Sequence, residues 1–156
     1  MAQQFRFHIL PPPHISTQPA WSGCAFGMKV LKFCKMMTQA GHTVYHYGHE
    51  ASEVEATEHI TVTTDKDFIK AYGEEYVDGA WATRGFAHYY DIQDSCYAAF
   101  HANAVKEIIK RKQPNDFILH SFGYGTKAIA DAIPDLINVE MGIGYGDAWA
   151  PWRVYE

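Results

Sequence analysis

Two histidines lie where an imidazole could do chemistry. His14 stands in a proline-rich loop after the first predicted strand, and His120 ends a later predicted strand. The carboxyl ends of parallel strands meet at one edge of a sheet, so both rings would share that edge. An imidazole there can act as an acid, a base or a hydrogen-bond donor near neutral pH. For either histidine alone, a ring held by backbone groups is the favoured interpretation; the pair at one edge raises the odds of a catalytic role, and His14 and His120 are the catalytic prediction.

Glycine loops follow the last two predicted strands. The sequence HSFGYG continues from His120, and Glu140 precedes a GxGxG motif at Gly142, Gly144 and Gly146. Polar groups just past the carboxyl ends of parallel strands are where open α/β sheets bind ligands. These late glycines have two interpretations: a flexible turn that leads the chain out of the sheet, or a close approach to a ligand.

Several common sites are disfavoured by the motifs that are missing. A dinucleotide fingerprint needs GxGxxG directly after the first strand, where this chain has PPPH, and the P-loop pattern does not occur. Ser121 is not in a GxSxG elbow. His42 and His46 share a face of a predicted strand, but four residues span roughly 13 Å along it, too far for one zinc ion. An amphipathic strand, followed by a polar turn with His49 and Glu50, is preferred, and no metal is predicted.

Length and composition indicate one globular domain over residues 1–156. The net charge of −5 argues against strong nucleic-acid binding, which needs clustered cations. The three cysteines show no CxxC spacing, which disfavours a disulfide framework and favours reduced thiols in the cytoplasm. No segment approaches the roughly 20 apolar residues of a spanning helix.

The periodicity of the apolar residues predicts the elements that must position these side chains. Strands are predicted over residues 5–10, 42–47, 60–63, 116–120 and 136–139. Helices are predicted over residues 24–39, 65–72, 94–112 and 127–133, with Asp65 and Asp94 as caps, while residues 73–91 have no assignment. Strands that alternate with helices predict an α/β class: a Rossmann-like three-layer domain with a mainly parallel sheet.

The chain also resembles a known family, the N-terminal domain of GT-B-fold glycosyltransferases, particularly the retaining type-4 (group 1) enzymes. Three stretches carry the resemblance: VLKFCKMMTQAGHTVYHYG, DFILHSFGYG and NVEMGIGYGDAWAPWRVYE. The first is similar to a helix, GH-x-V and strand opening. The second is similar to a strand that ends in a histidine-containing loop, and the third to the stretch before the crossover to a second domain.

The resemblance implies the acceptor-side half of a glycosyltransferase that moves a sugar from a nucleotide-sugar co-substrate, with no other cofactor and no metal. It places His120 near a histidine that faces the reacting sugar, and His14 where inverting relatives carry a base, although PPPHIS differs from their pattern. The substrate-binding residues that it implies are Ser121, Gly123, Tyr124, Glu140, Gly142 and Gly144.

Because the donor-binding motif of the family belongs to its second domain, the resemblance implies that a donor-binding domain or chain is the partner and that this chain is a truncation or one part of a split pair. Two alternatives stay open. One is a small non-catalytic α/β module that binds a nucleotide or a sugar. The other is a free-standing enzyme that uses the edge with His14 and His120.

Overall fold

The computed structural model describes residues 3–73, 90–143 and 147–155. Within these residues, six strands form one sheet and four α-helices pack on it. The strands are β1 (Arg6–Leu10), β2 (Thr43–His49), β3 (Glu58–Thr63), β4 (Phe117–His120), β5 (Ile137–Ile143) and β6 (Trp152–Tyr155). The helices are α1 (Ala25–Gln39), α2 (Asp65–Tyr72), α3 (Ser95–Arg111) and α4 (Lys127–Ala132).

The strand order in the sheet is β3-β2-β1-β4-β5-β6, and every pair is parallel. This is the doubly wound order, in which the direction of winding reverses between β1 and β4. The prediction of a Rossmann-like three-layer α/β domain is confirmed. The reversal matters for function, because in sheets of this order the loops after the two central strands separate and ligands bind at the carboxyl edge; this place, between β1 and β4, is called the crevice below.

Side chains on the two faces of the sheet form two separate cores. Leu119 of β4 packs with Val30 and Cys34 of α1, whereas its neighbour Ile118 packs with Phe100 of α3 on the opposite face. Successive side chains of a strand point to opposite faces, so both faces of this central strand must be apolar. That explains why β4 reads as the continuous apolar run Phe-Ile-Leu before its histidine.

Two strand predictions differ from the structure, and one strand was not predicted. The second strand was predicted to end at residue 47, but β2 continues through Gly48 to His49. A Cβ at Gly48 would lie 2.6 Å from His46 Cε1, so glycine is needed there for packing and not as a terminator. β5 extends to Ile143, so Glu140 and Gly142 lie inside this strand and not after it. β6 was not predicted.

The helix starts follow capping chemistry. Asp94 caps α3 as predicted, because its carboxylate accepts a hydrogen bond from the Tyr97 N–H at 2.9 Å. The cap of α2 is Thr64 and not Asp65: Thr64 and Asp67 form a reciprocal capping box. Among the described residues, no helix has the length and apolarity to cross a membrane. The three cysteines are buried free thiols.

Candidate functional site at the carboxyl edge of the sheet

The crevice between β1 and β4 brings the two predicted loops together. Leu10 and His120 are paired at the ends of these strands. Directly beyond them, the Ser121 hydroxyl donates a hydrogen bond of 2.6 Å to the Leu10 carbonyl. Ser121 is fully buried, so its side chain joins the strand ends and does not face a ligand. The substrate-binding prediction for Ser121 stays a prediction that this geometry does not support.

His14 forms the inner wall of the crevice. Its ring stacks on Tyr90 with centroids 3.9 Å apart and planes 13° apart, and its Nδ1 lies 2.8 Å from the Tyr97 hydroxyl oxygen. The side chain is 2% exposed, and this burial lowers the pKa of His14 from 6.5 to about 3. His14 is therefore a neutral imidazole at pH 7, which can accept or donate one hydrogen bond but is a weak base.

An aromatic side chain on the β4 loop faces His14. Phe122 is half-buried, with ring centroids 5.3 Å from His14 and 5.1 Å from Phe26 at the start of α1. Gly125 makes room for this ring, because a Cβ there would lie 2.9 Å from Phe122 Cδ1. The crevice thus has aromatic walls drawn from the loops after β1 and β4 and from α1 and α3.

Gly123 and Tyr124 lie on the solvent side of the same loop. Gly123 has a φ of 47°, and its carbonyl accepts a hydrogen bond of 3.0 Å from the Trp149 indole. Tyr124 is 49% exposed. Of the predicted substrate-binding residues in this loop, Tyr124 is the one whose side chain is open to solvent beside the aromatic walls.

His120 sits differently from His14. It is fully buried, with Nδ1 2.8 Å from Thr126 Oγ1 and Nε2 2.8 Å from Asn138 Oδ1. The edge of its ring meets Trp149, with centroids 4.8 Å apart. Burial lowers the pKa of His120 to about 4. Both ring nitrogens are engaged by the protein, so this geometry gives His120 a structural position under the β4 loop; its catalytic role stays a prediction.

Glu140 is also a buried structural group. One of its carboxylate oxygens accepts hydrogen bonds from the Trp149 and Ala150 N–H groups at 2.7 and 2.8 Å. These bonds hold the chain where it returns toward β6. Glu140 is 0% exposed, so its predicted contact with substrate has no support in this geometry. Gly144 lies outside the described residues.

Gly142 is tied to α1 and not to an open surface. Its carbonyl accepts a hydrogen bond of 2.6 Å from Lys29 Nζ, and its φ is 63°. A Cβ at this position would overlap the Lys29 side chain. The glycine therefore serves a close approach, as one interpretation of the motif expected, but the approaching group is a lysine of the protein.

We expect Gly142→Ala to lower the free energy of unfolding by about 1–3 kcal/mol, because alanine is strained at positive φ and displaces Lys29. Urea unfolding measures the change. Lys29→Ala is the matched control: in that background the overlap is gone, so Gly142→Ala should cost less. An equal cost in both backgrounds would show that Lys29 contributes nothing to the effect.

At the end of β2, ligand atoms of His49, Glu50 and Asp65 lie within 4.8 Å of one another. His49 Nδ1 accepts a hydrogen bond from the Ala51 N–H at 3.1 Å, which places the proton of the neutral ring on Nε2, 3.2 Å from Asp65 Oδ1. Nε2 would have to lose this proton before it could ligate a metal, and the prediction that no metal binds stays a prediction. Glu50 instead accepts from the Asp65 N–H at 2.7 Å, at the start of α2.

A buried polar chain also lies at the opposite, amino edge of the sheet. His8 lies 2.7 Å from the Tyr47 hydroxyl and 2.9 Å from Asp116, which also pairs with Arg6 at 2.9 Å. A hydroxyl, an imidazole and a carboxylate that are hydrogen-bonded in this order resemble a catalytic relay, but His8 and Tyr47 are fully buried. Burial lowers the pKa of His8 against the opposing effect of Asp116. The chain ties β1, β2 and β4 together.

Sequence reasoning missed the aromatic partners of the crevice. Tyr97 is 83 residues from His14 along the chain, and nothing in its local pattern distinguishes it from other helix residues. Phe122 lies within the HSFGYG loop but was not among the predicted site residues. A large apolar residue in a polar loop at the end of a central strand is the feature that could have indicated it.

Comparisons with protein-family models, with curated proteins and with solved structures find no match to this chain. What the crevice binds is therefore inferred from its own chemistry. It combines flat aromatic surfaces with a neutral imidazole. Such a site suits an uncharged ligand with apolar faces and hydroxyl edges better than it suits a polyphosphate.

Proposed function

We propose that this chain is the acceptor-side domain of a glycosyltransferase, acting in the cytoplasm with a donor-binding domain or chain that holds the nucleotide-sugar. The observation that carries the proposal is the meeting of the His14 loop and the Phe122–Tyr124 loop at the point where the strand order reverses. In a doubly wound sheet this is where ligands bind. A sugar ring has apolar faces that pack on aromatic rings and hydroxyls that hydrogen-bond at their edges.

The chemistry of the crevice supports the acceptor side over the donor side. A nucleotide-sugar carries a diphosphate, which calls for cations or a glycine-rich loop at a helix start. The loop after β1 is PPPH, and the whole chain has a net charge of −5. Sugar transfer needs both substrates in one water-poor cleft, so the second wall comes from the partner.

In this proposal His14 organises the aromatic walls of the acceptor site and does not carry the acceptor's proton away. Its lowered pKa keeps the ring neutral, and the contacts with Tyr90 and Tyr97 fix its orientation. Phe122 and Tyr124 supply the surfaces for the sugar. His120 supports the β4 loop from below through Thr126 and Asn138.

A second candidate function is a non-catalytic sugar- or nucleotide-binding module. The observation that favours it is the low pKa of both candidate histidines, about 3 for His14 and about 4 for His120. Neither ring is poised for proton transfer near neutral pH. The same observation weighs against a free-standing enzyme that uses this pair.

Calorimetry with the isolated chain tests the proposal. We expect a panel of methyl glycosides to include binders and UDP-glucose to show no binding. Tyr124→Ala should weaken glycoside binding about tenfold, since loss of one stacking surface is worth about 1.4 kcal/mol. Trp152→Ala is the control, because this side chain is exposed on β6, away from the crevice. Tight UDP-glucose binding with no glycoside binding would overturn the acceptor-side assignment.

A further inference from the structure

Two histidines on neighbouring strands share a hydrogen bond that depends on their protonation. His46 of β2 and His59 of β3 are register partners, and their Nδ1 atoms lie 2.9 Å apart. A nitrogen–nitrogen hydrogen bond needs one donor and one acceptor, so the two Nδ1 atoms hold one proton between them. If both rings become doubly protonated, two N–H groups face each other and the bond is replaced by repulsion.

The same pair holds the loop that carries His14. His46 Nε2 lies 3.0 Å from Thr17 Oγ1, and both residues are fully buried. Thr17 is held further by the loop after β2: its N–H donates to Ser52 Oγ at 3.1 Å, and its carbonyl accepts from the Glu53 N–H at 2.9 Å. His46 thus links the sheet directly to Thr17, beside the two backbone bonds that join Thr17 to the loop after β2.

Burial outweighs the groups that favour a second proton on the pair: hydrogen bonds with the backbone of His49 and of His46 raise the pKa of His59, which is nevertheless lowered overall. Burial is the main cause that lowers the pKa of both rings, to about 3 for His46, and each further lowering comes from another histidine: His59 acts on His46, and His49 acts on His59. The carboxylates of this region, Glu50, Asp65 and Asp67, act on His49 instead. The His46 ring packs directly against Gly48, where a Cβ would lie 2.6 Å from Cε1.

We propose that protonation of the His46–His59 pair releases residues 14–17 from β2 and so disorganises the candidate site under mild acid. That this release affects acceptor binding rests on the proposed function; the release itself does not. While the two rings are hydrogen-bonded and buried, their pKa values are lowered. Once the pair opens to solvent, the rings have ordinary histidine pKa values, so opening takes up protons. Opening becomes more favourable as the pH falls below about 6.5.

Amide hydrogen exchange tests the release on the chain without any ligand. The Glu53 N–H reports the loop, since it donates to the Thr17 carbonyl, and the Lys112 N–H, which donates to the Ile108 carbonyl at the end of α3, reports the rest of the fold. Between about pH 7.5 and about pH 5.5, Glu53 protection should fall about a hundredfold, for one proton taken up at each ring, while the Lys112 N–H stays better protected than the Glu53 N–H throughout.

His59→Gln is the matched variant, because an amide can keep a hydrogen bond to His46 but does not titrate. In this variant only His46 titrates, so the loss of protection at Glu53 should be about tenfold. Equal protection at Glu53 and Lys112 in the parent chain, or the same hundredfold loss at Glu53 in His59→Gln, would overturn the proposal.

If His59→Gln does not fold, nitrogen-15 spectra of the parent histidines decide instead: both rings becoming doubly protonated with Glu53 protection unchanged would also overturn it. A failure of the proposed function would appear in the glycoside titrations at pH 7.5, independently of these results.

Discussion

Replacing His120 by alanine is expected to lower the free energy of unfolding by about 3–4 kcal/mol. The change removes a fully buried ring that bridges Thr126 and Asn138 and meets the edge of Trp149. It leaves two buried polar partners without their bonds and a cavity beneath the β4 loop. Urea unfolding followed by circular dichroism measures the loss.

This result separates two roles for the same residue. A histidine that only faced the reacting sugar could be replaced with the fold intact and turnover abolished, which is what the family resemblance implies for His120. Tyr124→Ala is the control in the same loop: an exposed side chain should change stability by no more than about 0.5 kcal/mol. An unchanged stability in His120→Ala would contradict the structural role.

Acid should destabilise the protein steeply because three histidines are buried in their neutral form. Burial lowers the pKa of His14 and His46 to about 3 and that of His120 to about 4, whereas their value before such shifts is 6.5. Between these values the unfolded chain binds more protons than the folded one. Their contribution to stability is therefore full above pH 6.5 and is lost as the pH falls toward 4.

The expected loss is large relative to ordinary stabilities. At about pH 5, each of these histidines lowers the free energy of unfolding by about 2 kcal/mol. Together they lower it by about 6 kcal/mol, and the free energy of unfolding of a domain is roughly 5–15 kcal/mol. Urea unfolding at several pH values gives the number of protons taken up on unfolding, which should be about three or more near pH 5. His46→Gln should reduce that number by about one. An uptake below one proton in the parent chain would contradict the buried neutral state of these rings.

The strands and helices could largely be predicted from the sequence because they depend on the local periodicity of apolar residues. The alternation around His42–Tyr47 and the apolar face of α1 are visible within a short window, and the strand–helix order then restricts the topology. A strand that lacks such a local pattern was not predicted. β6 is a short edge strand whose four residues are all exposed, so it lacks the buried alternation that identifies a strand.

The position of the candidate site in the fold was predictable from the sequence, but the residues that surround it were not. The edge of the sheet that carries His14 follows from the parallel order alone. Whether a histidine at that edge is buried depends on residues far away in the chain, such as Tyr97 for His14 and Asn138 for His120. Glu140 was expected in a loop because the apolar run before it stops at Val139, but pairing with Arg153 of β6 keeps it in a strand.

The central claim is that an acceptor sugar binds at the carboxyl edge between β1 and β4. The most direct test is to map amide chemical shifts while methyl glycosides are titrated into the chain at pH 7.5. We expect saturable changes of amide chemical shift in residues 14–17 and 121–125 and no change in residues 3–5 and 113–116 at the amino edge. Changes confined to the amino edge, or no saturable change with any glycoside, would contradict it.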